Sequence, residues 1–166
     1  MRALLPGSYD PVTRGHLAVI EEAARRFGAV TVAVFINPSK QGLFSHADRV
    51  ELLLLATAHL ENVTVDFSDG MVADYAKDGG YGCIFKGIRN ERDRAYEEDM
   101  AAYNHERSGG IPTVLYEAPS EYGDISSTAV REALAKGEPI EGLVPAAIIP
   151  AVTELYKKIA PPPCGR

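Results

Sequence analysis

The chain has 166 residues, 46% hydrophobic and 24% charged, a balance ordinary for a soluble globular protein built on one core. No apolar run approaches the roughly 18 residues a membrane span needs, and residues 1–7 are too short and too soon broken by Pro6 to act as a secretion signal, so a cytoplasmic, non-membrane protein is expected. The formal net charge of −6 argues against a general nucleic-acid binder, but leaves room for a small anionic ligand wherever lysines and arginines cluster.

Short β-branched runs at 31–36, 63–66 and 113–116, with less clear apolar runs at 3–5 and 83–85, alternate with segments of helical period at 17–27, 46–60, 71–77, 92–106, 127–136 and 146–159. This alternation predicts an α/β fold: a Rossmann-like, doubly wound, five-stranded parallel sheet with helices on both faces. One domain over 1–160 is expected, followed by a loose proline-rich tail at 161–166. Cys83 lies in an apolar run and reads as a buried free thiol. Cys164 lies in the tail, and the two have no metal-ligand spacing.

In open parallel sheets, ligands bind beyond the carboxyl ends of the strands. The segments that follow Leu5, Ile36, Phe85 and Tyr116 are therefore the place to look for chemistry. After the first strand, Gly7 permits close backbone approach, Ser8 offers a hydroxyl, and Gly15-His16 opens a helix whose dipole favours anions. From position alone, His16 is as readily a helix cap as an active-site group. After the second strand, Lys40 is a lone cation in a turn, ordinarily a solvated one, and Ser45 is a plausible N-cap. After the fourth, Lys86 and Arg89 flank Gly87, and Tyr96, Glu97, Met100 and Asn104 follow on a helix, where Tyr96 and Met100 suit a core and Glu97 a solvated face. After the fifth, Tyr122-Gly123-Asp124-Ile125 leads to Ser126-Ser127-Thr128. These three are either plain helix caps or a set of hydroxyls and free N–H groups for polyphosphate.

The run Gly-Ser-Tyr-Asp-Pro at 7–11 followed by Thr-Arg-Gly-His at 13–16 closely resembles the signature of the HIGH-type nucleotidyltransferases. Pro-Ser-Lys at 38–40, Lys-Gly-Ile-Arg at 86–89 with Asp93, the Tyr96-Glu97 pair and Asn104, and Ile-Ser-Ser-Thr at 125–128 are similar, in order and spacing, to the phosphopantetheine adenylyltransferase family. The resemblance covers about Gly7 to Pro145. It implies transfer of the adenylyl group of ATP to 4'-phosphopantetheine, with His16, Lys40 and Arg89 in catalysis. It also implies ATP binding by Ser8, Tyr9, His16, Gly87, Ile88, Arg89, Glu97 and the stretch Tyr122, Gly123, Asp124, Ile125, Ser126, Ser127 and Thr128, and acceptor binding by Ser8, Lys40, Val72, Lys86 and Asn104. A homo-oligomer, hexameric by resemblance, and coenzyme A as a feedback ligand are implied as well.

Five positions depart from the family pattern: Lys86 replaces an arginine, Arg94-Ala95 a more apolar pair, Val72 a longer side chain, and Asp124 places a carboxylate beside the phosphate loop. Ile-Ser-Ser-Thr-Ala-Val-Arg at 125–131 also looks like the nicotinamide or nicotinate mononucleotide adenylyltransferases, although Thr13 stands where that group has a further histidine. A non-catalytic nucleotide-binding homologue is the third reading. The chemistry implied is attack by an acceptor phosphate oxygen on the α-phosphorus of ATP. The attacking monoester is already anionic and needs no general base, and Mg²⁺ is expected to arrive on ATP rather than in a protein cage.

Overall fold

The computed structural model describes residues 1–160. The segment 161–166, with Cys164, lies outside the described residues. Five strands form one sheet: β1 (Arg2–Gly7), β2 (Ala29–Phe35), β3 (Val63–Ser68), β4 (Cys83–Ile88) and β5 (Thr113–Glu117). Their spatial order is β3-β2-β1-β4-β5 and every pairing is parallel. The chain winds outward from β1 to β3, then returns to place β4 on the other side of β1. The order thus reverses between β1 and β4, where the strand ends splay connections to opposite faces and leave a crevice.

Four α-helices connect the strands, α1 (Arg14–Arg26), α2 (His46–Ala56), α3 (Val72–Asp78) and α4 (Glu91–Ser108), and α5 (Ser127–Lys136) and α6 (Ile149–Ile159) follow β5 among the described residues. Alternation along β1 sets the layers. Ala3 and Leu5 join Ile20 of α1, Leu52 of α2, Val130 of α5 and Val152 of α6 in one core, while Leu4 joins Ile84 and Ala76 of α3 on the opposite face. Helix α4 packs beside α3 over β4 and β5. Cys83 is a buried free thiol, as its apolar setting predicts. Among the described residues no helix is long and apolar enough to cross a membrane.

The doubly wound fold agrees with the sequence reading, but several boundaries need correction. The segment 86–88 belongs to β4 rather than to a loop, because Lys86, Gly87 and Ile88 stay in register with Leu115, Tyr116 and Glu117 of β5. Likewise β1 continues to Gly7, paired with Val34. The segment 146–159 divides into a single 3-10 turn at Ala146–Ile148 and then α6, where Pro150 sits in the first helical turn because it needs no N–H partner there.

Glycine at 87 is required by packing. A Cβ there would stand 2.5 Å from Cγ2 of Val19 on α1, and valine has little rotamer freedom to move away. Gly87→Ala is therefore expected to lower stability by about 1–3 kcal/mol, read as a reduced thermal midpoint. An unchanged midpoint would show that α1 is not seated against β4 as described.

Candidate active site

The loop from β1 to α1 is built around Asp10 and Tyr9. Tyr9 is buried in the left-handed region at φ 46°, an unfavourable conformation for a bulky residue, and its hydroxyl donates to the carbonyl of Leu5 at 3.1 Å. Its ring abuts Gly7, where a Cβ would stand 2.9 Å away, and meets the His16 ring edge-on at 5.0 Å between centroids. The Tyr9 hydroxyl is thus committed to the backbone, and the ring forms the wall behind His16. The buried Asp10 carboxylate accepts from the N–H groups of Leu43 and Phe44 at 2.8 and 2.9 Å and lies 3.4 Å from Nε of Arg49.

His16 answers the question the sequence left open by doing two things at once. Thr13 caps α1, its Oγ1 accepting from the His16 N–H at 3.2 Å, and the Thr13 N–H donates to Nδ1 of His16 at 3.0 Å. With Nδ1 an acceptor, the neutral ring carries its proton on Nε2, a donor for whatever occupies the cleft that His16 lines. Burial, and then the positive charges of Lys86 and Arg89, pull the His16 pKa down to about 4.

The cleft over the reversal point has a cavity of about 390 Å³ that joins the ends of β1 and β4 to the start of α5. Its cations are each held by internal groups. Lys86 Nζ lies 3.4 Å from Glu97 and donates to the Pro6 carbonyl at 3.4 Å. Arg89 donates through Nε to Asp93 at 3.1 Å and through a terminal nitrogen to the Ile125 carbonyl at 3.4 Å. Arg131 donates to the Asp10 carbonyl at 2.8 Å and to Thr128 Oγ1 at 3.1 Å. Glu97 therefore faces the cleft rather than bulk water.

A second cavity of about 280 Å³ adjoins the first, and Pro6, Gly7, Ser8, Lys86 and Glu97 line both. It runs between the sheet and α4 and brings together Ser8, Val72, Lys86 and Asn104, four of the five residues expected to hold an acceptor. The fifth, Lys40, stands on the exposed turn after β2 and lines neither lobe.

The hydroxyl loop lines the cleft with Ser126, Ser127 and Thr128, and two of its side chains also serve the fold. Ser126 Oγ accepts from the Ala129 N–H at 3.0 Å as the N-cap of α5, and Ser127 Oγ donates to the Pro11 carbonyl at 2.8 Å. These two side chains are engaged in structure, so what α5 offers an anion is its first-turn N–H groups. The lining passes from Tyr122 to Ile125 with Gly123 and Asp124 outside it, and Ile88 is buried in the sheet. Among the described residues no group of three or more His, Cys, Asp or Glu side chains converges as a metal site would require. A larger, open concavity of about 760 Å³ beside β3 and α3 lies apart from these groups. Several of its polar side chains are already paired, Tyr75 with Asp66 at 2.5 Å and Asp74 with Arg107 at 2.9 Å.

The cytidylyltransferase-like family model matches residues 4–133. The chain is 44% identical to the phosphopantetheine adenylyltransferase of Symbiobacterium thermophilum, over 97% of this chain and 99% of that protein. It is 41% identical to that of Corynebacterium glutamicum, over 94% and 98%, and 38% identical to that of Clostridium novyi, over 95% and 98%. This chain belongs to the phosphopantetheine adenylyltransferase family. A crystal structure described as a putative nicotinate-nucleotide adenylyltransferase from Vibrio parahaemolyticus shares the fold, with a TM-score of 0.65 over 94% of this chain and 97% of that one, at 19% identity.

Sequence reasoning missed several residues of this family member's site. Thr13 sets the His16 tautomer, Asp93 holds Arg89, and Arg131 lines the cleft beside the start of α5. The signal for Arg131 was present: it lies one helical turn beyond Ser127, on the face that Ser127 turns toward the first loop.

The His16 ring is expected to titrate near 4 in the unliganded protein, against 6.5 for a free imidazole, as followed by NMR. Because the folded state binds this proton less readily than the unfolded chain, the contribution of His16 to stability is complete above pH 6.5 and is lost progressively as pH falls toward 4. A midpoint near 6.5 in the intact fold would refute the enclosed, neutral donor.

Proposed function

We propose that this chain transfers the adenylyl group of ATP to 4'-phosphopantetheine, giving 3'-dephospho-coenzyme A and pyrophosphate, a step of coenzyme A synthesis. The observation that carries the proposal is the seam. Two cavities, one beneath a helix N-terminus and one along α4, meet at Ser8, Lys86 and the end of β1, beside a neutral imidazole donor. That arrangement suits two phosphates brought into line.

In this reading ATP occupies the lobe of His16, Arg89 and the start of α5, and the acceptor phosphate sits at Lys86. An acceptor oxygen attacks the α-phosphorus, the bond to the bridging oxygen breaks, and pyrophosphate leaves with the electron pair. His16 Nε2–H donates to an α-phosphate oxygen as charge builds, and Arg89 with the first-turn N–H groups of α5 stabilises the leaving pyrophosphate. The cleft carboxylates Asp93 and Glu97 are paired with Arg89 and Lys86, so this chain's donor set suits Mg²⁺ held by the triphosphate and water, where it would offset phosphate charge. Lys40 would reach the acceptor from outside the lobe, on a turn whose far end is fixed by Asp10.

The acceptor assignment rests on the relatives at 38–44% identity; the Vibrio structure at 19% bears on the fold alone. A cytoplasmic homo-oligomer, hexameric and with coenzyme A as feedback ligand, completes the reading. Exposed Leu54, Phe67, Met71 and Tyr96 offer surface for self-association.

Pyrophosphate release is expected with ATP and 4'-phosphopantetheine, and not when nicotinamide or nicotinate mononucleotide replaces the acceptor. Release with the mononucleotide alone would overturn the acceptor, and none with any acceptor despite ATP binding would overturn the enzyme. His16→Ala is expected to lower kcat by about 10²–10³ with little change in the KM for ATP. Lys40→Ala is expected to raise the KM for the acceptor, and an effect on ATP affinity alone would refute the division of the cleft.

A further inference from the structure

One fully buried side-chain polar atom among the described residues lacks a partner, and its residue lines the acceptor lobe. Thr113, the first residue of β5, carries a buried hydroxyl without a hydrogen-bond partner among the described residues, and it lines this cavity. Buried hydroxyls in folded proteins almost always find a partner, so an orphan on a ligand cavity calls for one.

Its place in the lobe is fixed by the sheet register and by the period of α4. Ile84 pairs with Thr113 and Lys86 with Leu115, so Thr113 lies two residues below the level of the Lys86 ammonium, roughly 7 Å along the strand. On α4, Glu97, Ala101 and Asn104 share one face along the cavity, and Asn104 lies two turns, roughly 10 Å, from Glu97 at the mouth. Asn104 is itself only 7% exposed. Between mouth and floor the walls are apolar, with Ile84, Val72 and Met100 among them. The charged lining groups, Lys86 and Glu97, are both at the mouth. The lobe is thus charged at the entrance, apolar along its length and neutral-polar at its floor.

We infer that Thr113 is an acceptor-binding residue: with Asn104 it forms a hydrogen-bonding floor that reads an amide in the arm of the acceptor, roughly 7–10 Å from the phosphate held at Lys86. The floor carries no charge, so it favours a neutral group, and a hydroxyl beside a carboxamide can both give and accept, as an amide requires. A phosphomonoester with a purely hydrocarbon arm would leave both groups unpaired and would be rejected on that account. The inference rests on the acceptor reading above and deepens it.

Thr113→Val keeps the shape and removes the hydroxyl. With pyrophosphate release as the readout, it is expected to raise the KM for 4'-phosphopantetheine about tenfold, while the KM for ATP moves less than about twofold and Thr113→Ser stays near the native value. The unliganded thermal midpoint is expected to hold or rise, because an unpaired buried hydroxyl has been removed. An acceptor KM within twofold of native, or equal increases for acceptor and ATP, would overturn the assignment while leaving the adenylyltransferase reading intact. A native chain that releases no pyrophosphate with 4'-phosphopantetheine would overturn both.

Discussion

The site depends on one buried carboxylate. Asp10 accepts two backbone N–H groups from the turn that ends at Phe44, lies against Arg49 of α2, and presents its own carbonyl to Arg131 of α5. Three segments far apart in sequence therefore share one anchor: the His16 loop, the turn carrying Lys40, and helix α5. A carboxylate with this many donors is stable while buried, whereas removing it would strand several polar groups at once. The glycine at 42 fits the same anchor, since a Cβ there would collide with the Arg49 guanidinium.

Around that anchor, structure and chemistry use the same atoms. The capping box of α1 is also what orients the His16 imidazole, so the helix cannot start elsewhere without misdirecting Nε2. The left-handed Tyr9 places its ring behind that imidazole, and Gly7 makes room for it. Backbone strain at Tyr9 is offset by its hydroxyl bond to Leu5 and by burial of the ring, and it sits where the strand end must stay open to a ligand.

Strand cores were legible in the sequence because a parallel sheet covered on both faces selects near-continuous runs rich in β-branched residues, as Val30 to Val34, with Ala33 alone unbranched, shows. The last residues of β4 were not, because Lys86 and Gly87 are chosen by the cleft and by Val19 rather than by strand propensity. The motif residues on the strand ends were legible as a set. What each hydroxyl does was not: Ser126 and Ser127 have the same local sequence signal whether they cap a helix, tie down a loop or hold a phosphate. Thr113 was illegible for a related reason. A threonine opening a strand is ordinary, and only the packing of α4 over the sheet leaves its oxygen buried and unpaired.

The pairing of each cleft cation with an internal partner, Lys86 with Glu97, Arg89 with Asp93 and Arg131 with the Asp10 loop, sets a threshold for occupancy. A small monovalent anion could displace one of these partners at a time and would regain little beyond what it displaced. A triphosphate placed as proposed would engage several cations together, so its contacts would reinforce one another as those of any multivalent ligand do. On the proposed adenylyl-transfer reading, the internal carboxylates would thus filter by charge number, leaving the cleft indifferent to the simple anions of its surroundings while it responds to nucleotides.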